Sequence, residues 1–323
     1  MMMFKPLQRT LSYIQHKLAP AAVILMYHRI STTAVEPNWL AVTPTNFAQQ
    51  MAYLRQAYHP IQLAELIDCL QKGSLPQRAV VITFDDGYRD NLTCALPQLE
   101  ATGNPATIFV TTGHIDSERE PWWDELKHFL LESTQAPSYL ALQIEQRAYH
   151  WSTATRAERI KVHCGLENLM RPLPSYVNDT ILDQLAVWTG TYRRFHPAYH
   201  TITSAELQEL ARHSLIELGA HTMTHPILPT LPLDAQFNEI VGSRYRLEKM
   251  INKPVLSFAY PNGDYNEQTR QLVDAAGYRL ACTTTTGCVQ HGDNVFQLRR
   301  CAVNDWPLET FKRKLEKFFH DYR

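Results

Sequence analysis

Short apolar, β-branched runs alternate with segments of helical periodicity through most of the chain, the pattern of strand and crossover helix repeating around a parallel sheet. Seven runs read as strands: Val23–Tyr27, Val80–Phe84, Ala106–Val110, Leu215–Gly219, Val255–Ala259, Leu280–Thr284 and Val295–Leu298. Between the first two, Phe47, Met51 and Leu54 share one helical face, and Leu63, Leu66, Ile67 and Leu70 share another, which Gly73 and Pro76 terminate. Further helices are predicted from beyond Tyr88 to about Gly103, from about Asp234 to Ile251, from about Glu267 to Ala276, and over Leu308–Phe319. Thr203 and Glu206 have the spacing of a capping box ahead of Leu207, Leu210 and Ala211.

The rhythm breaks between about Asp116 and Thr201, where positions such as Val177, Ile181, Leu182 and Leu185 repeat helically and no run reads as a strand. The expected organisation is an N-terminal segment at 1–20 and one α/β body at 21–323, interrupted by a helical insertion at about 116–201. The body is ordinary in composition, 45% hydrophobic and 20% charged, so it can bury a large core. Thirty-one Lys+Arg against thirty-two Asp+Glu leave no net field to draw in nucleic acid, which is excluded as a partner. The six cysteines form no CxxC pair and read as reduced thiols. No apolar run approaches the roughly 18 residues of a spanning helix. The first twenty residues lack the apolar stretch and cleavage site of a signal peptide, so a cytoplasmic location is expected over export. Oligomeric state is left open.

Chemistry enters where the strand AVVITF runs straight into Asp85-Asp86-Gly87-Tyr88, because carboxyl ends of strands are where α/β folds build sites. Two adjacent ionised carboxylates repel unless a cation or strong donors compensate, whereas a solvated turn would leave them as simple caps. After another apolar run comes His221-Thr222-Met223-Thr224-His225. If that segment is helical, both imidazoles lie on one face and can grip one cation. Alone the pair is weak evidence; beside two carboxylates it is strong. Two imidazoles and one carboxylate suit Zn²⁺ or another divalent metal and leave room for water, whose pKa can fall from 15.7 to about 7 on such an ion. One aspartate would then ligate and the other act as base.

At these residues the chain resembles the polysaccharide deacetylase family, the NodB-homology carbohydrate esterases: TFDDG at 83–87 looks like its first motif and HTMTH at 221–225 its second. Met26–His28, Pro105–Gly113 and FAYPNG at 258–263 are also similar. The resemblance implies a distorted (β/α)7 TIM-like barrel, Asp85 as general base, and Asp86, His221 and His225 as metal ligands. It further implies hydrolysis of N-acetyl groups from amino sugars of a glycan, with the backbone N–H of Asn262 at the oxyanion and Tyr260 and Pro261 as substrate contacts.

Two departures stand out. Many members place an arginine before the third-motif proline to orient the base, where this chain has Ala259-Tyr260. Arg300 is the candidate replacement, since a guanidinium can hold a carboxylate with paired hydrogen bonds. The late leucine-x-histidine motif that supplies an acid has no counterpart, so that role is unassigned. His28 and His114 are lone histidines, a kind more often structural than catalytic. Trp122 and Trp123 are the aromatic residues of the insertion singled out for sugar stacking, against simple packing. Rival readings are a catalytically silent sugar-binding barrel and a small-molecule amide hydrolase of the same fold; a metallopeptidase is disfavoured because HTMTH lacks the glutamate of HExxH.

Overall fold

The computed structural model describes residues 20–32, 40–193 and 200–321. The expected N-terminal segment, and with it the signal-peptide reading, therefore lies outside the described residues apart from residue 20. In chain order the strands are β1 (Ala21–Tyr27), β2 (Arg29–Ile30), β3 (Ala41–Val42), β4 (His59–Pro60), β5 (Ala79–Phe84), β6 (Ala106–Val110), β7 (Tyr139–Ile144) and β8 (Arg147–Ser152). They continue as β9 (Ile216–Ala220), β10 (Ser257–Ala259), β11 (Leu280–Cys282), β12 (Val289–Gln290) and β13 (Cys301–Ala302). Nine of them form one sheet along the path β11-β10-β9-β6-β5-β1-β12, with β4 on β5 and β13 on β1. All its pairings are parallel except β1 with β12.

The sheet is buried on both faces, which is why β1 (AAVILMY) and β5 (AVVITF) read as unbroken apolar runs. Alternate residues serve two different cores. Val23, Leu25 and Tyr27 of β1 and Val80, Ile82 and Phe84 of β5 face an outer layer of helices, against Phe47, Leu54, Leu210 and Leu247. Ala22, Ile24, Ala79 and Val81 face inward, where the helix Leu63–Lys72 plugs the curled sheet with Leu63, Leu66, Ile67 and Leu70. This is a distorted (β/α) barrel, and closure is its irregular part.

Among the described residues no regular ladder joins β11 to β1. Residues 295–300 do so instead: Ala281 N donates to Val295 O (2.9 Å), Leu298 N to Ala281 O (3.0 Å), Thr283 N to Leu298 O (2.8 Å) and Arg300 N to Thr285 O (3.0 Å), after which Cys301 and Ala302 pair with β1. The seventh strand expected at Val295–Leu298 is thus corrected to a stitching segment with a single bridge, Cys282 to Leu298. Asn294 and Gln297 belong to a turn there, so a full ladder cannot form.

The capping box at Thr203 and Glu206 forms, as do the helices Pro44–Ala57, Leu233–Ile251, Glu267–Ala275 and Leu308–Asp321. The expectation of a wholly helical insertion is corrected. Beside the helices Trp122–Lys127, Arg156–Met170 and Ser175–Thr189, it contains the antiparallel hairpin β7–β8. Leu140, Leu142 and Ile144 of β7 alternate with exposed Tyr139, Ala141 and Gln143, a period-two signal that the helical patterns on either side obscured. These elements share an apolar cluster of their own with Leu126, Leu166 and Leu182.

Candidate active site

Asp85 continues the inward series of β5: after Ala79, Val81 and Thr83, the two-residue period points its carboxylate into the mouth of the barrel. Asp85 N still donates to Tyr27 O (3.0 Å), so the ladder holds through this residue. The chain then turns, with Asp86 at φ 73° and Gly87 at φ 74°. Aspartate tolerates the left-handed region, and a Cβ on Gly87 would meet Val110 Cγ1 at 3.0 Å. The turn sends the two carboxylates apart.

The Asp85 carboxylate accepts from Arg300 Nη1 and Nη2, both at 2.7 Å, while Arg300 Nε donates to Thr283 O (2.9 Å) and Nη1 reaches Thr83 Oγ1 (3.2 Å). Both side chains are buried. Burial opposes ionisation of Asp85, but the Arg300 guanidinium, aided by His221, outweighs it and holds the carboxyl well below the usual carboxylate range.

Asp86 meets the histidines instead. His221 Nδ1, facing the carbonyl of Ala259 at 2.7 Å, must carry the proton and donate, which leaves the Nε2 lone pair toward Asp86 Oδ1 at 3.6 Å. His225 Nε2 lies 3.5 Å from the same oxygen. The segment between them is not helical, which corrects the sequence expectation: Thr222 and His225 have φ of 63° and 60°. A tight loop brings the rings together at 4.8 Å. Glu239 holds that loop, accepting from Met223 N (2.7 Å), Thr224 N (2.9 Å) and Thr224 Oγ1 (2.6 Å), and Thr222 Oγ1 accepts from His225 N (3.0 Å).

The donor set fits a divalent cation. Asp86 Oδ1 is buried without a hydrogen-bond partner, its two imidazole neighbours stand beyond hydrogen-bonding range, and the three donor atoms lie within 4.8 Å of one another. Burial, then Asp85 and Asp124, push the Asp86 carboxyl well above its ordinary value, a penalty that a bound positive charge relieves. Burial lowers both histidines, His225 far more, so they stand as neutral lone-pair donors.

A cavity of about 230 Å³ opens over this group, with His28, Asn262, Thr284, Trp122 and Trp123 in its wall. Asn262 sits in a tight turn at φ 56°, its carbonyl accepting from Thr284 Oγ1 (3.0 Å). Trp123 packs on His225 with ring centroids 4.8 Å apart, and its Nε1 donates to Tyr88 Oη, which donates to Asp124 (2.8 and 2.6 Å). Tyr260 and Pro261 are buried and do not line the cavity; Tyr260 stacks on Tyr265 and donates to Phe296 O. His114 is half-buried behind Trp123, its pKa lowered to about 4 by the loss of solvent around the ring and by His221.

Several participants escaped the sequence reading. Arg29 is buried beside Asp90 and over the Tyr88 ring. Glu239 lies a helix away from the loop it holds and carries no local signal. Glu167 and Arg171 of the insertion also line the cavity, and nothing in their spacing beyond an ordinary i,i+4 pair marks them.

A family model described as polysaccharide deacetylase matches residues 72–138 and 182–281. The Bacillus subtilis (strain 168) protein YxkH, whose name places it among polysaccharide deacetylases, is 23% identical over 297 residues, 91% of this chain and 76% of that protein. The poly-β-1,6-N-acetyl-D-glucosamine N-deacetylase of Escherichia coli (strain K12) is 34% identical over 86 residues, 26% of this chain but only 13% of that protein. Among solved structures, the Streptococcus pyogenes deacetylase PplD in complex with acetate superposes with a TM-score of 0.61 at 21% identity, covering 92% of this chain and 99% of that one. That likeness carries the fold.

Proposed function

The chain belongs to the polysaccharide deacetylase family, and from that membership we propose that it hydrolyses N-acetyl groups from amino-sugar residues of a glycan, at the cavity over Asp85, Asp86, His221 and His225. The observation that carries this reading is the approach of both imidazoles to one unpartnered carboxylate oxygen, Asp86 Oδ1, beside a second carboxylate pinned by an arginine.

Asp86, His221 and His225 would hold the cation, and two imidazoles with one carboxylate favour Zn²⁺. Such an ion would supply a Lewis acid for the acyl carbonyl and lower the pKa of a water to about 7. Asp85, kept ionised by Arg300, takes the proton of the attacking water, and the Arg300 grip fixes which way its oxygens face. The Asn262 backbone N–H, in its left-handed turn on the cavity wall, donates to the developing oxyanion. Proton delivery to the leaving amine falls to His28, a titratable side chain of the wall that the cation and base roles leave over. Trp122 and Trp123 offer faces for the sugar.

A silent sugar-binding barrel drew support from the arginine missing before Pro261 and from the unassigned acid; the bidentate Arg300 contact to Asp85 speaks to the first of these. The test is acetate release from N-acetylglucosamine oligomers with zinc, cobalt or nickel, with Asp86→Ala as the blank. Release by the wild type alone is expected, and no release on any oligomer with any of these metals would end the deacetylase reading.

A further inference from the structure

The family match stops at residue 138 and resumes at 182, so β7, β8, the helix Arg156–Met170 and the first part of the helix Ser175–Thr189 lie outside it. Yet this segment reaches the cavity. Glu167, in the last turn of the helix Arg156–Met170, and Arg171, its C-cap residue, both line the wall that also contains Asp85, Asp86 and the two histidines. They pair at 3.0 Å, one helical turn apart, with Arg171 38% exposed and Glu167 14% exposed, and His163 stands 3.9 Å behind Glu167.

An i,i+4 ion pair stabilises a helix by only about 0.2–0.5 kcal/mol. Val162, Leu166 and Met170 already anchor this helix in the apolar cluster of the insertion. What the pair does offer is chemistry facing the cavity. A carboxylate accepts from hydroxyls, a guanidinium donates to them, and each sugar hydroxyl can do both. Trp122 on the same wall carries an indole, the kind of flat apolar ring on which the C–H side of a pyranose can rest.

We infer that Glu167, Arg171 and Trp122 form a subsite for a neutral sugar ring next to the residue that loses its acetyl group, so that the preferred substrate is an oligosaccharide rather than a single amino sugar. The inference rests on the deacetylase reading for the direction of the substrate, but its test is independent of turnover. The specificity of this chain then resides in a segment outside the match to the family model.

The experiment compares the wild type with Glu167→Gln/Arg171→Gln and with the reversed pair Glu167→Arg/Arg171→Glu, which keeps an i,i+4 ion pair on the helix. Thermal melting checks that the variants fold. Binding of the N-acetylglucosamine monomer and trimer to the metal-free protein is followed by tryptophan fluorescence, with Trp122 and Trp123 in the wall as reporters. Acetate release is followed with zinc added. Both variants should weaken trimer binding at least tenfold and raise the trimer KM by a similar factor, with kcat within about twofold and monomer binding unchanged. Wild-type trimer affinity and KM in the folded reversed pair would overturn the subsite, as would a wild type that binds trimer no better than monomer. If trimer binding depends on the pair while no acetate is released, the subsite stands and the deacetylase reading falls; if acetate is released and the variants behave as wild type, the outcome is the converse.

Discussion

Arg300 holds both oxygens of Asp85 at 2.7 Å although 215 positions separate the two residues in the chain. The contact couples the last part of the barrel to the first motif, because the segment carrying Arg300 is also the one that joins β11 to β1.

Removing the guanidinium while keeping the stem, as in Arg300→Met, leaves a buried carboxylate without its partner. Such losses cost about 3–5 kcal/mol, and urea denaturation near neutral pH should report a fall of that order. The sign with pH follows from the depressed folded-state pKa of Asp85. The stabilisation is present above the unfolded aspartate value of about 3.9 and disappears as pH falls through the lower folded value, so the gap between wild type and variant should close in strong acid. A constant gap down to the acid limit would show that the ion pair is not its source.

Asp86 has the opposite sign. Its raised pKa means that the ionised form is disfavoured in the metal-free protein, so this residue favours folding below the unfolded aspartate value and that benefit is lost as pH rises through the folded one. Asp86→Asn should therefore melt higher than the metal-free wild type at neutral pH, by about 1–3 kcal/mol, and should lose the thermal shift that zinc gives the wild type. A zinc-dependent shift of wild-type size in the variant would remove Asp86 from the ligand set.

Glu239 fixes the loop between the histidines through three hydrogen bonds without touching the cavity. Glu239→Ala should weaken zinc binding by about 10–100-fold in calorimetric titration, as loss of outer-shell support commonly does, while Asp85→Asn leaves it within a few-fold. Equal affinities in Glu239→Ala and wild type would mean that the loop holds its shape unaided.

His28→Gln separates proton delivery from binding. The expected result is a kcat lowered about 10²–10⁴-fold with KM little changed. A KM effect alone would reassign His28 to substrate contact.

Much of this was legible in the sequence, for identifiable reasons. β1, β5 and β6 read correctly because strands buried on both faces leave unbroken apolar runs, and TFDDG could be placed at a strand end by the same signal. Arg300 could be nominated as the partner of Asp85 because the family resemblance calls for a base-orienting arginine that is missing before Pro261, and a guanidinium can hold a carboxylate with paired hydrogen bonds. The shape of the histidine segment could not: an i,i+4 spacing looks helical, whereas two positive φ angles and a glutamate from another helix set the loop. The β7–β8 hairpin was hidden because its period-two pattern is short and flanked by helices, and Tyr260 was placed at the substrate when its hydroxyl is spent on Phe296 inside the core.

The stitching segment has a consequence for biosynthesis. A chain emerging from the ribosome displays both aspartates and both histidines well before residue 300 is made, so every group for gripping an ion exists while the counter-charge to Asp85 does not. Competence of the base is thereby deferred until the barrel seam is sewn, and an unfinished molecule carries the motifs without the poise that makes them work.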